Sequence, residues 1–109
     1  MAWILVTVAG LLEIVWATSM KQSDGFTRLW PSVITIVTML GSFGLLSIAM
    51  RSLPLGTAYM VWVGIGAVGA FIAGIILYGE ALNPMRVAAA VLIVLGMALM
   101  KLSTQGPVA

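Results

Sequence analysis

The sequence contains no cysteine and no histidine. Without thiols it can form no disulfide, iron–sulfur centre or thiolate metal site. Without imidazole it lacks the usual nitrogen donor for zinc or haem, and no cofactor is indicated. Charge is also scarce, with five basic and three acidic residues in 109. A soluble domain carries about 25% charged residues; here the share is 7%, against 62% apolar residues and a mean hydropathy of +1.20. So few charges cannot cover a water-facing surface, so the solvent is largely lipid. The net charge of +2 is scattered and forms no basic cluster, which gives no sign of a nucleic-acid partner. No nucleophile–base pair stands out, so the chain does not read as an enzyme.

What the sequence does have is four long apolar runs, at about 3–20, 31–50, 57–78 and 85–102. Each is close to the ~17–25 residues that a helix needs to cross the hydrocarbon core. The runs are continuous rather than alternating, which favours helices over barrel strands. The expected architecture is an all-α, multi-pass membrane protein, with residues 1–109 forming a single four-helix domain. Ser23-Asp24-Gly25 reads as a turn. Asn83-Pro84 reads as an N-cap followed by a helix-starting proline. Residues 103–109 read as a short polar tail. The first run lacks a basic leader and carries a glutamate, so it is expected to stay as a helix rather than be cleaved as a signal.

Four spans place both termini on one side. Lys21, Arg28 and Arg86 then face Arg51, Lys101 and the terminal amine across the bilayer. The positive-inside rule needs a clear bias, and here it has almost none. Either a weak bias settles one orientation, or copies insert both ways and pair antiparallel. Large transporters often build their site between inverted repeats. This chain has no internal repeat, so an antiparallel copy would supply the missing half.

Glu13 carries the strongest functional signal. It lies about 15 Å into the first span, near the bilayer midplane. A carboxylate there costs roughly 2.5–3.5 kcal/mol and is functional by default. No span offers a lysine or arginine at depth to pair with it. Desolvation disfavours a charged carboxylate, so one site can hold a proton in one condition and a cation in another, which is the simplest basis for exchange.

The first span and its neighbours supply further candidates. Gly10 and Ala9 lie one turn before Glu13, and Trp16 and Ala17 one turn after it. Small residues leave room for a ligand or helix, while Trp16 offers an aromatic wall or simply packs. Trp3 and Trp30 sit at span ends as interfacial anchors. Thr35, Thr38 and Ser42 form a polar stripe whose hydroxyls can also satisfy themselves on preceding carbonyls; Ser42 is best placed to orient a carboxylate. Tyr59 and Trp62 share a face suited to an organic cation. Gly64 and Gly66 mark a possible kink, and Gly66, Ala70 and Gly74 form a small-residue stripe. The fourth span is apolar between Arg86 and Lys101, which snorkel. Its Ala88, Leu92 and Gly96 face is expected to pair subunits.

These residues resemble the small multidrug resistance family over nearly the whole chain. The matching stretches are Gly10-Leu11-Leu12-Glu13, Gly25-Phe26-Thr27-Arg28-Leu29-Trp30-Pro31-Ser32, Pro54-Leu55-Gly56-Thr57-Ala58-Tyr59 and Trp62-Val63-Gly64-Ile65-Gly66. Glu13-Ile14-Val15-Trp16-Ala17 resembles the guanidinium-exporting branch. So do Gly64-Ile65-Gly66-Ala67-Val68-Gly69-Ala70 and Asn83-Pro84-Met85-Arg86. The resemblance implies an antiparallel homodimer in a bacterial inner membrane that exchanges guanidinium for protons at Glu13. It also implies that Gly10, Trp16, Ser42, Tyr59 and Trp62 line the site or orient Glu13. Small substituted guanidines are further expected substrates. Two alternatives stay open: an exporter of quaternary ammonium ions, and a non-transporting membrane assembly subunit.

Overall fold

The computed structural model describes residues 1–105. Four helices follow in order: α1 (Ala2–Gln22), α2 (Leu29–Ala49), α3 (Leu55–Tyr78) and α4 (Pro84–Gln105). All four are long and apolar enough to span a membrane. At ~1.5 Å per residue the shortest is roughly 31 Å long, matching the hydrocarbon core. The helices meet the expected spans to within a few residues at each end. One expectation needs correction: the polar tail does not start at Ser103. α4 continues through Gln105, and Ser103 Oγ donates to the Met100 carbonyl (3.0 Å), so its hydroxyl is satisfied without leaving the helix. The rest of the expected tail lies outside the described residues.

Local chemistry sets the helix ends. Ser23 closes α1: its hydroxyl donates to the Met20 carbonyl (2.6 Å) and accepts from the Phe26 amide (3.0 Å). The chain then reverses through Asp24, Gly25 and Phe26, all at positive φ, as the Ser-Asp-Gly turn predicts. α3 ends at left-handed Gly79 (φ 63°), where the Glu80 amide donates to the Gly74 carbonyl (3.1 Å). The bond closes the chain back over the left-handed glycine, the residue type that most often ends a helix this way. Asn83 starts α4 as the sequence predicts. Its Oδ1 accepts from the Arg86 amide (2.9 Å), and Pro84 is the first helical residue.

Short connections between helices enforce antiparallel neighbours. α1 packs along both α2 and α3, which touch each other little. Small residues permit the α1–α3 approach: a Cβ on Gly10 would lie 2.8 Å from Ile65 Cβ, and one on Gly69 would collide with Ile14. The buried core includes Val6, Ala9, Leu46, Ala58, Val61 and Trp62. The backbone of α4 approaches only α3, while its far end reaches α1 through Lys101, whose ammonium sits 5.3 Å from the Trp3 ring centre. None of α4's membrane-spanning window is buried within the protomer. Large apolar side chains such as Ile76, Leu92 and Leu99 point outward. In lipid such a surface carries no penalty, and helix association rests on close packing and interhelical hydrogen bonds instead.

Candidate functional site

Glu13 lies at the middle of α1, roughly 16 Å along the axis from Ala2. Its carboxyl turns towards α3 and rests on Gly66. A Cβ at that position would fall onto Glu13 Oε1 and the carboxyl carbon. Gly66 thus provides the seat for the carboxylate. Gly64, the other glycine of the pair, admits Met97 of α4 instead. α3 runs as one helix through both.

The polar stripe on α2 divides in two. Thr35 donates to the Pro31 carbonyl (2.7 Å) and Thr38 to the Ile34 carbonyl (2.6 Å), each satisfied within its own helix. Ser42 reaches out. Fully buried, it donates to the Ala9 carbonyl of α1 (2.7 Å) and accepts the indole N–H of Trp62 from α3 (2.9 Å). One hydroxyl therefore ties three helices together, a turn from Glu13. Within the protomer its proton goes to the Ala9 carbonyl rather than to the Glu13 carboxylate.

An aromatic chain extends across this junction. Trp16 meets Phe43 edge-on at 6.3 Å, Phe43 meets Trp62 at 5.7 Å, and Trp62 meets Tyr59 at 5.6 Å. Phe43 was not singled out from the sequence; a bulky aromatic next to the one mid-span serine was the available signal. The faces of Phe43, Tyr59 and Trp62, with Leu46, Ser47 and Met50, border a cleft of about 510 Å³ between α2 and α3. Tyr59 is half exposed there.

Two polar atoms in this region have no hydrogen-bond partner among the described residues: Glu13 Oε1 and Trp16 Nε1. Buried polar groups are normally satisfied, and an orphan calls for an explanation. Here an acceptor and a donor are left one helical turn apart. The donors of Ser42 and Trp62 are already committed elsewhere. A group with N–H donors could complete Glu13, and an added acceptor could complete Trp16.

The structure thus joins Ser42, Trp62 and Tyr59 directly, with Trp16 linked through Phe43. Gly10 is buried against Ile65. On α4, Leu92 and Gly96 border an apolar groove against α3, and Ala88 is exposed beyond it.

These features define a small multi-pass membrane protein organised around a mid-depth carboxylate and an aromatic cleft. The chain belongs to the Small Multidrug Resistance protein family, whose sequence profile matches residues 1–95. It is 61% identical over 104 residues to a protein of Escherichia coli K12 named guanidinium exporter, covering 95% of this chain and 99% of that relative. Proteins of the same name from Citrobacter freundii and Salmonella typhimurium are 58% identical over the same coverage.

Proposed function

We propose that this protein exports guanidinium ion from the bacterial cell in exchange for protons, with both competing for Glu13. The observation that carries this reading is the Glu13 carboxyl itself. It is seated on Gly66 at mid-helix, and its buried Oε1 has no hydrogen-bond partner among the described residues. Guanidinium is planar, permanently charged and able to offer a carboxylate two parallel N–H donors. Its faces stack on aromatic rings, which Trp16, Phe43, Tyr59 and Trp62 supply. A quaternary ammonium ion has no N–H donor and would leave the carboxylate's hydrogen bonding unmet. The names of the relatives, at 58–61% identity, support the same substrate.

The working unit in this reading is an antiparallel homodimer. Nearly balanced basic residues on the two sides, the unburied α4 and the unpartnered atoms of the site all support it. Two Glu13 carboxylates would then face one another across the dimer, with Ser42 and Trp62 holding α1, α2 and α3 in register around them. The Ala88, Leu92 and Gly96 side of α4 would pair the subunits, and Gly64 and Gly66 would let α3 flex. Protons arriving from outside neutralise the carboxylates and release the cation. The two subunits then exchange conformations and return the protonated site inward.

Uptake of guanidinium into proteoliposomes driven by a proton gradient tests this directly. Glu13→Gln should abolish uptake and guanidinium binding while leaving the dimer intact. Proton-coupled uptake persisting in that variant would refute the mechanism.

A further inference from the structure

A second carboxylate handles a guanidinium group in this molecule. Glu80 follows the left-handed turn that ends α3, and its side chain folds back against Gly74, where a Cβ would strike the carboxyl. Arg86, at the start of α4, places Nη2 3.6 Å from Glu80 Oε1. The same guanidinium lies 5.4 Å from the Phe71 ring centre. A carboxylate and a phenyl face thus hold a guanidinium group, the two elements that recognise the free ion.

Three further observations concern position and strength. First, at 3.6 Å the pair is longer than a charge-assisted hydrogen bond, ~2.7–2.9 Å. Both side chains are also about 40% exposed, so the pair is weak and displaceable. Second, the last carbonyls of α3 face this end and favour a cation there. Third, Glu80, Arg86 and Phe71 border a cavity of about 330 Å³ between α1 and α3, within the range of small-molecule pockets. Its deeper wall includes Ala17, one turn beyond Glu13, and Ala67, adjacent to Gly66. Lys21 shares the mouth but rests its ammonium over the Tyr78 ring at 5.2 Å; its charge keeps any cation affinity low.

We infer that Glu80 and Phe71 form a second, weak guanidinium site at the mouth of this cavity, a staging point on the way to Glu13. In the free protein the guanidinium group of Arg86 occupies it, and the free ion displaces that group. The choice of ligand rests on the proposed function.

The test is a chemical-shift titration of the full-length protein in nanodiscs, with guanidinium chloride against tetramethylammonium chloride at equal ionic strength. Amides of Gly74, Gly79 and Glu80 report on the mouth, and those of Gly10 and Gly66 on Glu13. The mouth amides should shift saturably with guanidinium only, and should still do so in Glu13→Gln. Adding Glu80→Gln should abolish the response. Adding Arg86→Ala instead should tighten it about two- to fivefold, the range expected for removing an exposed competing ion pair. In the otherwise unaltered protein, Glu80→Gln should remove only the weaker of two binding phases. Equal shifts with tetramethylammonium, persistence after Glu80→Gln, or no tightening in Arg86→Ala would overturn the second site. Silence at Gly10 and Gly66 with a response at the mouth would instead refute the Glu13 reading alone.

Discussion

Replacing Gly66 by alanine separates the seat of the carboxylate from the carboxylate itself. The added methyl would occupy the space now held by Glu13 Oε1 and its carboxyl carbon. The displaced atoms are the far end of a flexible side chain, so the backbone need not move. Alanine also improves helix propensity over glycine by roughly 0.5–1 kcal/mol. The protein should therefore fold, dimerise and melt close to the parent. Binding should suffer, because the carboxyl can no longer sit where the cation and the aromatic walls meet. Losing one hydrogen bond to a charged group costs about 1.5–3 kcal/mol, or roughly 10- to 150-fold in affinity. Titration of the purified variant with guanidinium, alongside thermal unfolding in the same detergent, measures both effects. Gly56→Ala is the control, since a Cβ there meets nothing within 4 Å. Unaltered guanidinium affinity in Gly66→Ala would show that the site does not depend on this placement of Glu13.

Two further substitutions probe the surroundings. Ser42→Ala leaves both the Trp62 indole N–H and the Ala9 carbonyl without the partner they now share, and should cost about 1–3 kcal/mol in stability. Because the two groups act through one bond, Ser42→Ala and Trp62→Phe should be non-additive in a double-mutant cycle of unfolding free energies; simple additivity would argue against the linkage. Trp16→Gly removes the large ring beside Phe43 and should shift competition assays from guanidinium towards bulky quaternary ammonium ions. Unchanged selectivity would mean that Trp16 does not set the size of the site.

Much of the fold was legible because lipid imposes a simple rule: each crossing needs a run of about twenty apolar residues. The caps were legible too, since Asn83-Pro84 and Ser23-Asp24-Gly25 carry their own local chemistry. Glu13 stood out through its cost at depth. What periodicity could not assign was the direction of each contact. Thr35, Thr38 and Ser42 look alike in sequence, yet only Ser42 reaches another helix, because it alone comes level with Ala9 and Trp62. Gly64 and Gly66 read as a possible kink point, and spacing gave no sign that each is also a point of close approach, one for Met97 and one for Glu13. Nor could spacing reveal that Glu80 and Arg86 meet over Phe71, since that depends on how the Gly79 turn joins α3 to α4.

The central claim is that protons and guanidinium compete for one carboxylate. Capacitive currents from proteoliposomes on a supported membrane, recorded with guanidinium across a range of pH, test it in one experiment. Acidification should lower the apparent affinity, by up to about tenfold per pH unit for each proton displaced. The current should saturate with guanidinium and vanish in Glu13→Gln. Guanidinium currents whose half-saturating concentration does not move with pH, or that survive in Glu13→Gln, would contradict it.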